Sequence, residues 1–195
     1  MMITAGIVEA FLKCPTKCYL RSLGEVGTEN AYANWARAQN ESYRNDGTKR
    51  LTEGAAPDEC IVGSPGTTNM KAAKWRLAMD YVVRAQNLES SLHAVERIPS
   101  EGRGKPPQFI PIRFVSTNKL NRDDKLLLAF DALLLAEMLG YEAGCGKIIH
   151  GDGQATLRVQ TSALANEVRK LTGEIATLLS SGSPPDLVLN RHCAE

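Results

Sequence analysis

The sequence predicts an α/β domain in which a small mixed sheet is flanked by helices and preceded by a helical N-terminal region. Apolar residues recur at helical spacing early in the chain, and β-branched, alternating segments follow from residue 81. An almost wholly apolar helix then lies between strand segments, and an amphipathic helix follows them. A chain of 195 residues fits one domain, 1–195, in which residues 1–80 are mainly helical and residues 81–195 form the sheet and the core helices.

The N-terminal region contains two predicted helical stretches. Residues 3–23 have apolar side chains at helical spacing, and Pro15 either interrupts this helix or opens a second one. A further helix is predicted over 31–51. The segment 52–69 is rich in Gly, Pro and Thr, which indicates an exposed loop, whereas 70–79 is either helical or irregular.

Strands are predicted over 81–84, 92–98 and 108–115, and the last two are joined by a loop rich in Pro and Gly. Residues 123–139 are apolar on nearly every face, which predicts a helix buried on several sides. Gly140 follows it, where a left-handed C-cap would end the helix.

The last third of the chain predicts a hairpin and a final helix. Two short strands flank the turn Gly151-Asp152-Gly153, and an amphipathic helix begins near Ser162. Asp131 and Glu137 lie six positions apart in the apolar helix, so they do not share a face. We interpret them as thin polar edges of that helix.

Composition narrows the class of protein. The hydrophobic fraction of 43% and the charged fraction of 23% are typical of a globular protein, and the net charge of +1 means that any nucleic-acid surface must be local. The longest apolar stretch is too short to span a bilayer, and the first residues lack the pattern of a signal peptide. Five scattered cysteines favour free thiols or metal ligands in a reducing compartment. We therefore expect a cytoplasmic protein with no membrane role.

Three segments together carry a family resemblance: FLKCPTKCYL at 11–20, LHAVERI at 92–98 and LVLNRHC at 187–193. In order and spacing they resemble the RecB-like, CRISPR-associated-exonuclease-like branch of the PD-(D/E)XK nuclease superfamily. The resemblance covers almost the whole chain and implies a restriction-endonuclease-like core.

The family hydrolyses phosphodiesters with Mg²⁺ held by an Asp and a Glu, beside a Lys two residues beyond the Glu. In this sequence His93 stands at the Asp position, Arg113 at the Glu position and Val115 at the Lys position. Glu41 matches the family's early acidic or histidine ligand. The family's Gln and Tyr on the following helix are replaced by Leu126 and Phe130. The resemblance thus implies a degenerate site at Glu41, His93 and Arg113, and a Mg²⁺ cofactor only if activity remains.

Basic residues predict the DNA contacts. The candidates are Arg113, Lys119, Arg122, Arg103 and Lys105, although most such excesses of basic residues are simply solvated surface.

The sequence leaves two interpretations open for four residues. Arg113 either contacts phosphate or pairs with a carboxylate such as Glu96, and His93 is either a ligand or a hydrogen-bonded structural residue. Trp35 and Trp75 either stack on bases or are wholly or partly buried, and we favour burial for both.

In family members with an iron–sulfur cluster, one N-terminal cysteine joins three C-terminal ones. Cys14 and Cys193 match the first two of these four. Because the sequence stops abruptly after a His-Cys pair, we expect the chain to be a fragment of a longer protein, and only the longer protein would hold a cluster. Cys18 is either a substitute ligand or a packed residue. We expect no cofactor in the fragment itself.

The leading hypothesis is a nuclease-like domain that has lost hydrolysis. It would bind single-stranded or forked DNA, or act as a scaffold, beside a helicase domain or another protein partner in a helicase–nuclease or defence-type protein. One alternative is an active Mg²⁺-dependent nuclease, with Glu41, Asp80, Glu96 and Lys119 assembled in another register. The other alternative is a protein–protein interaction module, which the near-zero net charge favours.

Overall fold

The chain forms an α/β fold in which helices flank a mixed seven-stranded sheet. It is known from a computed structural model that describes residues 1–25, 27, 30–64, 70, 73–100, 102 and 106–188. The elements in chain order are β1 (Ile3–Thr4), α1 (Ala5–Lys13), α2 (Pro15–Ser22), α3 (Ala31–Glu53), β2 (Cys60–Val62), β3 (Leu77–Ala85), β4 (Leu88–Ile98), β5 (Gln108–Val115), α4 (Arg122–Leu139), β6 (Gly146–His150), β7 (Ala155–Val159) and α5 (Ala165–Ser180).

The strands lie in the order β2-β3-β4-β5-β6-β7, and β1 pairs with β4 beside this path. Strands β3, β4 and β5 form an antiparallel meander, and α4 connects β5 to the parallel strand β6. β7 returns antiparallel to β6 around the predicted turn. The expected mixed sheet is therefore confirmed, and it is an open sheet and not a barrel.

Helix α4 is the centre of the core, as its apolar sequence predicts. Asn121 caps its N-terminus through a capping box with Asp124, and Gly140 ends it in a left-handed conformation (φ 73°, ψ 18°). Leu128, Phe130 and the neighbouring apolar side chains are buried between the sheet and helices α1 and α5. Within the described ranges, no helix has both the length and the apolar character needed to cross a membrane.

The N-terminal helix expected over 3–23 is divided at Cys14. Cys14 is extended (φ −166°, ψ 122°), and Pro15 begins α2 at a position where its missing N–H costs nothing. Pro15 thus opens a second helix, which is one of the two predicted alternatives. The first two residues of the stretch form β1 instead of helix because they pair with β4.

Strands β2, β3 and β4 differ from the sequence prediction, and β4 begins at Leu88 and not at residue 92. Asp80 has a left-handed backbone (φ 51°), so Leu77 and Met79 pack on one face of the sheet whereas Tyr81 and Val83 pack on the other. This shift of the two-residue alternation hid the first half of β3, which begins at Leu77 and not at residue 81. β2 has only three residues and lies in the segment expected to be a loop.

Candidate functional site

The candidate site lies where β4 and β5 separate. Their ladder runs from the pair Ile98–Gln108 to the pair Ala94–Ile112. Beyond that point β5 pairs with β6, whereas the first residues of β4 pair with β1. We call the space between the two strands the fork. It is an open depression of about 290 Å³, and its lining includes Thr4, Gly6, Glu9, Ser90, His93 and Arg113.

Arg113 and Asp131 form a buried ion pair at the base of the fork. The Arg113 Nε and Nη2 atoms donate to the two carboxylate oxygens at 2.5 and 3.2 Å, and the Ser90 hydroxyl donates to Oδ1 at 2.6 Å. The side chains are 12% and 1% exposed. Burial acts to lower the pKa of Arg113, but the charge and hydrogen bonds of Asp131 outweigh it, and the pKa is raised. Arg113 therefore stays charged and is held by the carboxylate.

This pair corrects two interpretations made from the sequence. Asp131 is not a thin polar edge of its helix but a fully buried partner of a strand arginine. Glu96 is not the partner of Arg113, because its carboxylate accepts from the Lys147 ammonium at 2.5 Å. Since side chains alternate along a strand, Arg113 points toward α4 whereas its neighbour Ile112 packs on the other face with Lys147.

His93 is a hydrogen-bonded structural residue in this fold, as one alternative proposed. Its Nδ1 atom accepts from the Phe114 backbone N–H at 3.0 Å, where the ladder between β4 and β5 has ended. The two rings stack with centroids 6.0 Å apart. Burial, followed by the charges of Arg113 and Arg44, lowers the pKa of His93 well below its ordinary value. The imidazole is therefore neutral near pH 7.

Acidification is expected to destabilise the protein through His93. The unfolded chain takes up a proton at its ordinary pKa of about 6.5, whereas the folded imidazole resists it, so stability falls as pH drops below that value. The loss at pH 5 should be about 1–2 kcal/mol. Urea unfolding of the wild type and of His93→Asn, compared between pH 7.5 and pH 5, measures it. Asn keeps an acceptor near the place of Nδ1 but does not titrate, so equal pH dependence in both proteins would contradict the assignment.

The acids that the active-nuclease alternative requires do not lie close together. Glu41 is exposed on α3 and does not line the fork, Asp80 pairs with Arg44, and Glu96 pairs with Lys147. Over the ranges that the structure describes, no three His, Cys, Asp or Glu side chains are grouped so that they could hold a metal ion.

The predicted DNA-contacting residues are spread over different surroundings. Arg113 is in the buried pair, and Lys119 is exposed in the loop after β5 and does not line the fork. The exposed Arg122 guanidinium forms a double hydrogen bond with Glu167 at 3.0 and 2.7 Å, which links α4 to α5. Arg103 and Lys105 lie outside the described residues.

Of the three cysteines considered as cluster ligands, the structure describes Cys14 and Cys18. Cys14 is partly exposed between α1 and α2, and Cys18 is buried in the core. Burial raises the pKa of the Cys18 thiol to about 11, so it is protonated and packs as an apolar side chain. Cys193 lies outside the described residues.

An exposed aromatic pair on α3 was missed by the sequence prediction. Trp75 is buried beside Phe109, as expected, but the expectation of burial for Trp35 is wrong, because it is 58% exposed. Tyr32 is 63% exposed, and the two rings lie 5.9 Å apart, one helical turn from each other. The signal in the sequence was the polar composition of α3, whose only buried residue is Gly47.

No protein-family model matches this chain, and no curated protein sequence matches it either.

Proposed function

We propose that this chain is a RecB-like, nuclease-related domain that has lost hydrolysis and binds single-stranded or forked DNA. The observation that carries the proposal is the Arg113–Asp131 pair in the fork, at the position where the resemblance expects a metal-binding acid. The mixed sheet, with its antiparallel meander and a helical connection to a parallel strand, supports a restriction-endonuclease-like core.

The residues of the fork do not fit a magnesium ion. Mg²⁺ needs uncommitted oxygen ligands, but both Asp131 oxygens already accept hydrogen bonds from Arg113 and one of them also from Ser90. The two other acids at the fork are in ion pairs as well, Glu9 with Lys13 at 3.2 Å and Glu89 with Arg84. A guanidinium also repels a divalent cation. We therefore infer that the Arg113 guanidinium stands in place of a metal ion as the cation that binds Asp131.

Binding to DNA is supported by the aromatic pair on α3. The Tyr32 and Trp35 side chains are exposed to solvent on a helix whose first half is largely exposed. Unpaired bases stack on such rings without sequence preference, and each stacked base contributes about 1–3 kcal/mol. Duplex DNA hides its base faces, so this pair favours single strands and the single-stranded arms of forks. The domain would serve as a DNA-holding part of a helicase–nuclease or defence-type protein.

The test is a fluorescence-anisotropy titration with single-stranded and forked DNA at two salt concentrations in Mg²⁺, with the products resolved on a gel. We expect salt-sensitive binding and intact DNA. Trp35→Ala should weaken binding by about 1–3 kcal/mol, because one stacking ring is lost. Val62→Ala removes another exposed apolar side chain, on the edge strand β2, and should leave binding unchanged.

Two outcomes would contradict the proposal. Cleavage in Mg²⁺ that stops when EDTA is added would identify an active nuclease. An absence of binding to either DNA would instead favour the protein-interaction module, for which the exposed Tyr32 and Trp35 rings would form the contact.

A further inference from the structure

We propose that the phosphates of a DNA single strand bind on the face of the sheet opposite the fork, in a groove between the end of α3 and strands β6 and β7. This inference depends on the proposed function and adds the surface that holds the DNA backbone. The groove is a depression of about 120 Å³, and its lining includes Leu51, Arg76, Glu96, Ile112, Lys147 and Thr156. We call it the basic groove.

Two cations, Arg76 and Lys147, line the basic groove, and a third, Arg158, lies beside it on the same face of the sheet. Arg76 comes just before β3 and its side chain is 52% exposed, and Lys147 lies on β6. Arg158 on β7 is paired directly opposite Lys147 in an antiparallel ladder, so the two side chains share this face of the sheet. The four residues of β7 from Ala155 to Arg158 are exposed, and β7 is the outer strand, so the groove is open to solvent on that side.

The acids near these cations do not neutralise them fully. Glu96 contacts Lys147 at 2.5 Å, and Glu59 is 3.9 Å from Arg76. Arg158 donates to the Cys145 sulfur at 3.1 Å, and among the residues that the structure describes it has no carboxylate partner. Glu96 balances the charge of Lys147, so Arg158 is the cation at this end of the groove that lacks a carboxylate among the described residues. A bound phosphate would supply the negative charge that Arg158 lacks.

The arrangement favours an extended polyanion. The cations cross the sheet from β7 to β3, and neighbouring strands are about 4.8 Å apart, so the row spans on the order of 19 Å. A single nucleic-acid strand carries one phosphate per nucleotide and can follow such a row, whereas a compact anion would contact only one end. A depression of about 120 Å³ beneath α3 admits part of one backbone and not a duplex. Among polyanions we choose DNA because Tyr32 and Trp35, whose rings can stack on bases, lie on α3, and this helix also forms one wall of the groove.

The experiment compares the double variant Arg76→Gln/Arg158→Gln with a charge-matched control, Arg169→Gln/Lys170→Gln. The control removes two cations from the exposed surface of α5, which packs on the other side of the sheet. The probe is a labelled oligothymidine, measured by anisotropy over a series of salt concentrations. The groove variant should bind about tenfold or more weakly, and the magnitude of its slope of log affinity against log salt should fall by about 1.4. The control should keep the wild-type slope.

The outcomes separate this inference from the proposed function. If the wild type binds oligothymidine and the groove variant matches it in affinity and slope, the inference is wrong while the proposed function stands. If the wild type does not bind at all, the proposed function fails and the inference with it. A poly-glutamate peptide is titrated in parallel. Equal affinity for that peptide with the same sensitivity to the groove variant would overturn DNA as the occupant and assign the groove to an acidic protein segment.

Discussion

Replacing Asp131 with alanine is expected to lower the free energy of unfolding by about 3–5 kcal/mol. The substitution leaves the Arg113 guanidinium buried without its carboxylate and removes the acceptor of the Ser90 hydroxyl. The cost of an unpaired buried charge exceeds the cost of the small cavity, which makes this change larger than that of an ordinary polar truncation. Urea unfolding followed by circular dichroism measures the change, provided that the dependence on urea concentration stays the same.

The double variant Arg113→Met/Asp131→Leu is the matched control. It replaces both charges with apolar side chains of similar size, so no charge is stranded, and most of the lost stability should return. Ser90→Ala, which removes only one hydrogen bond to the carboxylate, should cost about 1 kcal/mol. A double variant as unstable as Asp131→Ala would mean that the destabilisation comes from the cavity and not from the unpaired arginine.

Much of the fold could be predicted because it depends on patterns of residues that are close together in the sequence. The bounds of β5 agree with the prediction, α4 differs by one residue at its start, and the hairpin and the final helix lie where expected. In α4 the capping residues and the apolar sequence indicate the same bounds, and in the hairpin the turn residues lie between two strand patterns. The prediction failed at β3, where the left-handed Asp80 breaks the alternation. Aspartate adopts this conformation more often than most residues, but one aspartate does not by itself predict such a break.

The candidate site was predicted less well because it depends on contacts that are distant in sequence. Arg113 was identified as the important substitution, but its partner was not, since Asp131 lies in an apolar helix whose orientation only the packed core fixes. The exposure of Trp35 was missed for a similar reason. Periodicity gives the apolar face of a helix, but it does not tell which end of a 23-residue helix packs on the sheet.

Helix α3 packs on the sheet through Tyr43, Gly47 and Leu51, and there is no room for a larger side chain at Gly47. Gly47→Ala should therefore destabilise the protein by about 1–2 kcal/mol. A Cβ atom at Gly47 would overlap the ring of Phe114, which is itself buried and stacked on His93. Alanine gains up to about 1 kcal/mol of helix propensity, but overpacking a buried contact costs about 1–3 kcal/mol and pushes α3 away from β5. Because α3 is one wall of the basic groove, the same variant should also weaken binding of oligothymidine.

Gly173→Ala on α5 separates steric conflict from helix propensity. A Cβ at Gly173 meets nothing within 4 Å, so this change should stabilise the protein by up to about 1 kcal/mol. In the background of Phe114→Leu, whose side chain is smaller and can move aside, Gly47→Ala should lose most of its cost, and the double-mutant cycle measures that coupling. If Gly47→Ala stabilises the protein as much as Gly173→Ala does, α3 does not lie against Phe114, and neither the packing of this helix nor the wall it gives to the groove is as described.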